Sequence, residues 1–356
     1  MTRAIQELAA GKLGPVLLLL ERGEVPLARR LLSEAIASGV SVGLNASLFH
    51  GAPALEFVLR CAQQTNHSLE DAVDAMVVRR LAAAQARQQA GRLPALSEFD
   101  LIQGLTGLGV VLLARPARAG RGKSLLRNVL TYLTSLAQPT RNLGDDLPGW
   151  WCDTGPDGKE LPGGHGNNGM AHGIAGPLAL LCLAQRQGLV VPGQLEAIAV
   201  FACWLQRFGA TYWVTRLQAL VGRLTATQLL RPSWCYGAMG IARARQLAAL
   251  ALRDNDQRQR AEDLAYQALT TPTIVEYTVD SGLCHGWAGL LQVSRAIAAD
   301  SSAPTRFDEL GQSLAARTAA GLDALPSTEL MVGRPGAELA LLDSNTSGWT
   351  RLLLID

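Results

Sequence analysis

An all-α fold is predicted for this chain of 356 residues, and three observations predict it. Alanine and leucine are abundant, whereas aromatic residues make up only 5% of the chain, a composition that favours helices over β-sandwiches and β-barrels. Hydrophobic residues make up 48% and charged residues 17%, which is typical of a compact globular protein and excludes a disordered or fibrous chain. A glycine-containing phrase, G-x-x-G, recurs along the chain, and an apolar helical run follows each copy.

The recurring phrase marks the starts of buried helices. The first glycines of its six copies are Gly51, Gly104, Gly173, Gly237, Gly286 and Gly333. The first copy is degraded, because Ala54 stands where the other copies have their second glycine. The runs that follow the glycines, such as Ile174–Leu183 and Leu290–Ala298, are apolar nearly all round, so these helices are expected to be buried on most sides.

A second, amphipathic helix accompanies each buried one. The clearest begins at a capping box, Ser68–Asp71, and ends before Gly91 and Pro94. The others are predicted over 24–38, 123–137, 193–208, 256–270 and 306–323. Such a chain of helical hairpins can stack as an open solenoid or close into an α/α barrel, and the periodicity does not choose between them. Two glycines at each inner helix start indicate close backbone packing or access for a ligand, and six such starts imply a common mouth.

Residues 139–169 interrupt the alternation of buried and amphipathic helices. The segment contains four prolines and eight glycines. We expect a long surface loop here, and because structureless loops of this length are uncommon in compact domains, we interpret it as a lid or a partner-docking segment.

The charge distribution excludes several classes of partner. The chain carries 32 lysines and arginines against 30 aspartates and glutamates, with no basic block beyond Arg115–Arg127, so it lacks the electrostatic footprint of a protein that binds nucleic acid or an anionic membrane. The longest early apolar run, Val16–Leu20, is too short to insert across a bilayer, and no signal-peptide cleavage site follows it. We therefore expect a cytoplasmic protein whose six cysteines are reduced thiols.

Coordinating side chains occupy the two positions before the first glycine of the phrase in several copies. Cys235, Cys284 and His285 provide two thiolates and an imidazole, the ligand type of a catalytic zinc ion that keeps a fourth position open. Because adjacent residues do not share a helix face, Cys284 and His285 could bind one ion only from a bent turn, which Gly282 and Gly286 permit. The alternative interpretation is two buried small side chains and a capping imidazole.

The same positions offer a candidate acid or base. His172 would lie at a helix start in a cleft, where an imidazole titrates near the working pH, and Asp100 could orient it. Arg231 could stabilise a developing oxyanion or pair with Asp280. His165, in the glycine-rich segment, receives no role.

Four ordered phrases, Ser97–Gly104, Met170–Gly176, Arg231–Gly237 and Cys284–Gly289, resemble the lanthionine synthetase C-like family, the lantibiotic cyclases. The resemblance covers about residue 45 to the end and includes Gly348-Trp349. The resemblance implies one domain over residues 1–356 that folds as a double α/α toroid of seven outer and seven inner helices. It also implies one zinc ion at one end of the axis of this toroid.

The resemblance also implies residue roles. In the family the corresponding cysteines and histidine bind zinc, which assigns the ion to Cys235, Cys284 and His285. His172 corresponds to the acid or base, and Asp100, Arg231 and Tyr236 correspond to the remaining catalytic residues. The implied activity is addition of a peptide cysteine thiol to a dehydroalanine or dehydrobutyrine of the same peptide, which forms a lanthionine or methyllanthionine ring.

The implied substrate is a dehydrated precursor peptide with a leader and a core. Since no dehydratase segment precedes the barrel, we expect a stand-alone cyclase that works with a separate dehydratase and a peptide transporter, peripheral to a membrane-associated biosynthetic complex and without membrane insertion. Two other functions fit the same residues. One is the addition of an outside thiol, such as glutathione, to a dehydrated protein, and the other is a zinc-stabilised scaffold that binds modified peptide without turnover.

Overall fold

A computed structural model describes residues 6–116, 121–224 and 230–356. Helices dominate these ranges. In chain order they are α1 (Leu13–Glu21), α2 (Val25–Ile36), α3 (Ala52–Cys61), α4 (His67–Gln89), α5 (Leu96–Phe99), α6 (Leu105–Leu113), α7 (Arg121–Ser135), α8 (Ala175–Arg186), α9 (Gln194–Phe208), α10 (Arg216–Val221), α11 (Ala238–Leu252), α12 (Asn255–Thr270), α13 (Ile274–Tyr277), α14 (Trp287–Ala299), α15 (Asp308–Ala320) and α16 (Arg334–Leu341). Short 3₁₀ helices cover Pro304–Phe307, Leu322–Ala324 and Trp349–Leu353.

Seven apolar helices form a closed inner ring. Around the ring they follow the order α1, α3, α6, α8, α11, α14 and α16. Each packs against the next, and α16 packs against α1, which closes the ring. The side chains between them belong to one continuous hydrophobic cluster. The all-α toroid expected from the sequence is therefore confirmed, and the closed barrel is chosen over the open solenoid.

One inner helix, α1, is not among the six that the repeated phrase predicts. It begins within Gly11–Gly14, which is a seventh copy of the G-x-x-G phrase. The copy had a readable signal, because the apolar run Val16–Leu20 follows it directly. The seven inner helices that the family resemblance implies are all present.

Amphipathic helices cover the ring from outside. Each packs on the inner helix that precedes it in the chain: α2 on α1, α4 on α3, α7 on α6, α9 on α8, α12 on α11 and α15 on α14. Within the described ranges six such helices are present, one fewer than the resemblance implies. Each lies within a residue or a few of its predicted bounds. The cap predicted at Ser68 is wrong, because Asn66 caps α4 by accepting the Leu69 N–H at 3.1 Å.

Close backbone packing explains the second glycine of the repeated phrase. A Cβ atom built on Gly107, Gly240, Gly289 or Gly336 would lie closer than 3.0 Å to the carbonyl oxygen of the residue six positions earlier. The turn before each inner helix thus folds back onto the first turn of that helix. The sequence allows two interpretations of these glycines, close backbone packing and access for a ligand. Close backbone packing accounts for them.

Replacing Gly336 by alanine is expected to lower the free energy of unfolding by about 3 kcal/mol, because the new methyl group would meet the Leu330 carbonyl and the Leu283 side chain. Gly311 is the matched control, since it lies in α15 with open space around its Cβ position. Alanine at Gly311 should leave stability unchanged or raise it by about 0.5–1 kcal/mol. Urea denaturation measures both variants, and equal stabilities would contradict the close-packing explanation.

The segment 139–169 differs from the irregular loop predicted for it, because most of it pairs as β structure. A hairpin joins β1 (Thr140–Asn142) to β2 (Asp145–Leu147). A three-stranded antiparallel sheet joins β3 (Cys152–Thr154), β4 (Glu160–Asn167) and β5 (Trp213–Thr215). Trp150 is buried against Phe201 and Trp204 of α9, with ring centroids 5.2 Å apart in both pairs. These contacts fix the segment on the outer helix layer.

Burial of His165 makes the stability of this small sheet sensitive to pH. The side chain packs edge-on against Trp213, and burial lowers the pKa of His165, although its contact with the Cys152 backbone acts in the opposite direction. The unfolded chain binds a proton at a higher pH than the folded chain does. Stability is therefore expected to fall as the pH drops below about 6.5. Denaturation curves between pH 7.5 and 5 should show a weaker pH dependence for His165→Phe, and an unchanged slope would contradict this.

The end of the chain packs against the inner ring. Trp234 donates its indole N–H to the carbonyl of Leu353 at 2.8 Å, and the buried Arg243 donates to the carbonyl of Ile355 at 2.7 Å. Arg243 also pairs with Asp300 at 2.7 Å. None of the helices in the described ranges has both the length and the apolarity required to cross a bilayer.

Candidate active site

Backbone hydrogen bonds join the turns that precede the inner helices. The N–H of Leu101 donates to the carbonyl of Ala171 at 3.1 Å, and the N–H of Ala171 donates to Cys235 at 3.1 Å. The series continues from Cys235 to Cys284 at 3.2 Å and from Cys284 to Met331 at 2.8 Å. These residues lie two or three positions before the first glycine of their phrases. The predicted convergence of this register is therefore confirmed for these copies.

Cys235, Cys284 and His285 lie together at this end of the ring. One ligand atom from each, two sulfurs and one imidazole nitrogen, all lie within 4.8 Å of one another. Cys284 and His285 occupy a non-helical turn before α14, which lets adjacent residues reach the same point, as expected from the sequence. Cys235 is buried, whereas the other two are partly exposed, so the cluster is open on one side.

The three groups perturb one another. The hydrogen bond from Cys284 lowers the pKa of Cys235, and contacts with His285 and Ser233 act in the same direction against burial. The pKa of Cys284 is raised, because its thiol donates to Cys235 and because it is buried. Hydrogen bonds to Asp280 and Cys235 raise the pKa of His285 to about 10. The cluster therefore favours a thiolate next to an imidazolium. A cation that binds to these side chains would displace their protons.

Asp280 holds the ring of His285. Its Oδ2 lies 3.0 Å from His285 Nε2, and its Oδ1 accepts the backbone N–H of Gly282 at 2.7 Å. Burial raises the pKa of Asp280, but these hydrogen bonds and the charge of Arg231 lower it overall. Because Nε2 is engaged, Nδ1 is the ring nitrogen that can face the two sulfurs.

The geometry of this donor set fits a metal ion. Metal–sulfur distances of about 2.3 Å and metal–nitrogen distances of about 2.0 Å place the ligand atoms of a tetrahedral zinc site roughly 3.5–3.8 Å apart. Atoms that lie within 4.8 Å of one another reach that spacing through small side-chain movements. Two sulfurs and an imidazole with a carboxylate behind it also match the ligand chemistry and the outer-shell hydrogen bond of such sites. Cys235, Cys284 and His285 could therefore hold a metal ion.

A second pair, His172 and Asp100, lies in the neighbouring turns of the ring. Asp100 is 1% exposed, and its Oδ1 accepts the backbone N–H groups of Gln103 at 2.7 Å and Gly104 at 2.8 Å. Its Oδ2 lies 2.6 Å from Nδ1 of His172. The two backbone donors fix the carboxylate, which in turn fixes the imidazole. Nε2 of His172 is the nitrogen left free to exchange a proton with a ligand.

Tyr236 connects the two groups of residues. Its ring centroid lies 5.9 Å from that of His172, and its hydroxyl accepts from the side-chain amide of Asn167 at 3.3 Å. Burial raises the pKa of Tyr236, and the nearby charges of Cys235 and Asp100 raise it further. The phenol therefore remains protonated and can donate a hydrogen bond to a developing anion.

Arg231 lies at the exposed rim of this site. Its backbone N–H donates to the hydroxyl of Tyr212 at 3.0 Å, and its side chain is exposed. In the part of the chain that the structure describes, no ion pair joins Arg231 to Asp280, because the Asp280 carboxylate pairs with His285. The alternative that paired these two residues is therefore wrong, although the charge of Arg231 still lowers the pKa of Asp280.

Two residues of the site were not assigned from the sequence. Asp280 was considered only as a partner of Arg231, although its position five residues before His285 allows it to reach back across the turn. Asn167 was hidden in the glycine-rich segment; its Oδ1 accepts the N–H of Gly169 at 3.0 Å while its amide holds Tyr236. The Asn-Asn-Gly tripeptide before His172 was the available signal, since asparagine side chains bond to nearby backbone groups in turns.

The sequence profile of one protein family, described as Lanthionine synthetase C-like protein, matches residues 6–354 of this chain. Among curated proteins, Nisin biosynthesis protein NisC of Lactococcus lactis subsp. lactis is 25% identical over 206 residues, which correspond to 55% of this chain and 48% of the relative. The chain thus aligns with about half the length of that relative.

A solved structure named Nisin cyclase has the same fold. It superimposes with a TM-score of 0.81 at 18% identity, over 99% of this chain and 92% of that chain. At this identity the likeness shows the helical toroid alone. The family match, in contrast, spans the seven inner helices and every residue of the site described above. On this match, the chain belongs to the lanthionine synthetase C-like family.

Proposed function

We propose that this protein is a zinc-dependent lanthipeptide cyclase that joins a peptide cysteine to a dehydroalanine or dehydrobutyrine of the same peptide. One observation carries the proposal: a metal-competent cluster and an oriented His172–Asp100 pair both lie next to Tyr236. The names of the two relatives, a nisin biosynthesis protein and a nisin cyclase, support a peptide substrate.

The first requirement of this reaction is a thiolate. A free cysteine with a pKa of about 8.5 is only a few per cent ionised at neutral pH, a handicap of about 2 kcal/mol. Cys235, Cys284 and His285 would hold a zinc ion, which would lower the pKa of the substrate thiol and fix the position of its sulfur. Asp280 keeps His285 Nε2 engaged and thereby directs Nδ1 towards the two cysteines.

The second requirement is a proton at the α-carbon. The sulfur attacks the β-carbon, the C–S bond forms, and the alkene electron pair moves to the adjacent carbonyl as an enolate. His172, protonated and held through Nδ1 by Asp100, delivers a proton from Nε2 to the α-carbon. The proton lost by the thiol balances the one gained by the carbon. Tyr236 and Arg231 lie where a hydroxyl and a guanidinium can stabilise the developing anion.

The proposed substrate places this enzyme after a dehydration reaction. The precursor peptide must carry dehydrated residues before it reaches the site, so a dehydrating enzyme acts first. A peptide transporter as a later partner remains a prediction from the family resemblance.

A thiol count tests the proposal, because cyclisation leaves the peptide mass unchanged. A dehydrated peptide with one cysteine is incubated with the protein and then treated with an alkylating reagent, with and without prior removal of metal by a chelator. We expect alkylatable thiols to disappear only when metal is present, and to do so again when zinc is added back. Thiols that persist in the presence of the zinc-loaded protein would overturn the proposal.

The same assay separates the two alternative functions. With glutathione present, addition of an outside thiol raises the peptide mass by that of glutathione, whereas ring formation does not. A scaffold that only binds peptide leaves both the mass and the number of alkylatable thiols unchanged.

A further inference from the structure

A groove opens on the outside of the toroid. It lies between the outer helices α9 and α12, with the inner helix α11 as its floor, and consists of cavities of about 300 Å³ and about 190 Å³. Gln206 and Arg245 line both cavities, so the two form one continuous groove. The walls of the larger cavity are mainly apolar and include Leu205, Leu230, Pro232, Leu264 and Ile274.

Arg245 lies at the junction of the two cavities without a partner for its charge. In residues 6–116, 121–224 and 230–356 its guanidinium has neither a hydrogen bond nor an ion pair. Burial lowers the pKa of Arg245, and the like charge of Arg260 lowers it further. No carboxylate lines the larger cavity. In the smaller one, Asp254 is already used, since its carboxylate accepts the Gln257 N–H at 2.9 Å as the cap of α12.

Two other arginines that are buried or partly buried pair with carboxylates. Arg243, two residues earlier on the same helix, bonds to Asp300 at 2.7 Å. Arg115 bonds to Glu56 at 2.6 Å and to Asp74 at 2.7 Å. Arg245 is partly buried. Withdrawing a guanidinium even partly from water without an anion costs free energy, and a carboxylate in the groove would offset that cost. The unpaired state of Arg245 is therefore the feature of the groove that points to a ligand.

The position of the groove indicates which ligand can reach it. Pro232 of one wall precedes Cys235 by three residues, and Tyr277 of the other wall precedes Asp280 by three residues. Each wall thus continues into a segment that carries the metal ligands or supports them. Arg245 follows the first residue of α11 by seven positions, about 10 Å along the helix. An extended peptide covers this distance with about three residues.

We propose that this groove binds a segment of the substrate peptide in which an acidic side chain, flanked by apolar residues, pairs with Arg245. The identity of the partner rests on the proposed function, whereas the chemistry of recognition does not. The planar guanidinium matches a carboxylate with two parallel hydrogen bonds, and the apolar neighbours fill the cavities on either side. The groove then selects peptides whose acidic residue lies at least about three positions from the reacting cysteine.

Two labelled peptides test this proposal without turnover. Both carry fluorescein and a run of leucines, one with a glutamate in the middle and the other with a glutamine, and neither contains a dehydrated residue. Fluorescence anisotropy with the wild-type protein should give about tenfold tighter binding of the glutamate peptide. Arg245→Met should remove this preference. Arg207→Met is the matched control, because it removes an exposed arginine of α9 outside the groove and should keep the preference.

Thermal stability provides a second readout. If Arg245 had only a structural role, replacing it would lower the melting temperature of the protein. Since Arg245→Met removes an unpaired, partly buried charge, its melting temperature should equal or exceed that of the wild type. A lower melting temperature of Arg245→Met overturns the proposal. Equal binding of the two peptides, or binding of neither, also overturns it. So does a preference for the glutamate peptide that persists in Arg245→Met. Ring formation by a protein without this preference overturns only the groove. A preference through Arg245 in a protein that forms no rings overturns only the cyclase proposal.

Discussion

Replacing Cys284 by alanine is expected to remove both the bound metal and ring formation. The variant retains one thiolate and one imidazole, which is too few ligands to hold zinc at an open site. Without the ion, the substrate thiol returns to its ordinary pKa and loses about 2 kcal/mol of activation at neutral pH, so the rate should fall at least about 30-fold. Loss of the fixed sulfur position lowers it further. Metal analysis of the purified variant and the thiol count measure the two effects.

Cys203 provides the control for this substitution. It is an exposed free thiol on α9, so Cys203→Ala changes the cysteine content without touching the cluster. This variant should keep one zinc ion per chain. One mole of zinc retained per mole of Cys284→Ala would contradict the ligand assignment, whatever its activity.

His172→Ala is expected to stop ring formation while leaving the metal in place. Its imidazole lies outside the ligand cluster and is held by Asp100, so the variant loses only the proton that the enolate requires. General acid catalysis of this kind contributes about 10²–10⁴-fold. We expect a rate loss in this range, together with unchanged zinc content and unchanged affinity for the peptide. The thiol count, metal analysis and peptide binding are measured on the same preparation.

Two further variants sharpen this result. Asp100→Asn keeps an oxygen for the N–H groups of Gln103 and Gly104 but presents an amide to Nδ1 of His172, so most of the activity should be lost without loss of the fold. His67→Ala removes an exposed histidine at the start of α4 and should behave as the wild type. Loss of zinc in His172→Ala, or full activity in it, would contradict the assigned role.

The groups in the two predictions come from turns that lie far apart along the chain, and the sequence still identified them. Cys235, Cys284, His285 and His172 stand one or two positions before the first glycine of a repeated phrase, so their convergence follows once the phrases are placed around one axis. Partners that depend on local turn geometry were not identifiable in this way. Asp280 reaches His285 only because the turn before α14 folds back on itself.

The same division applies to the fold. The apolar runs and amphipathic stretches predicted the inner and outer helices, because a helix that is buried on most sides must be apolar nearly all round. The four prolines and eight glycines of the segment 139–169 predict a loop, yet four strands pair within it and β5 completes the second sheet from elsewhere in the chain. Its two buried tryptophans, Trp150 and Trp151, were the signal that the composition concealed.

By itself, the sequence determined the helical fold class, the family resemblance and the residue types at the mouth of the ring, because periodicity and repeated register are properties of the chain. Only the tertiary structure decided that the hairpins close into a ring, since the contact of α16 with α1 joins elements more than 300 residues apart. It also decided that Asp280 serves His285 and that Arg245 remains unpaired. Pairing between charges depends on distances in space, which spacing along the chain does not specify.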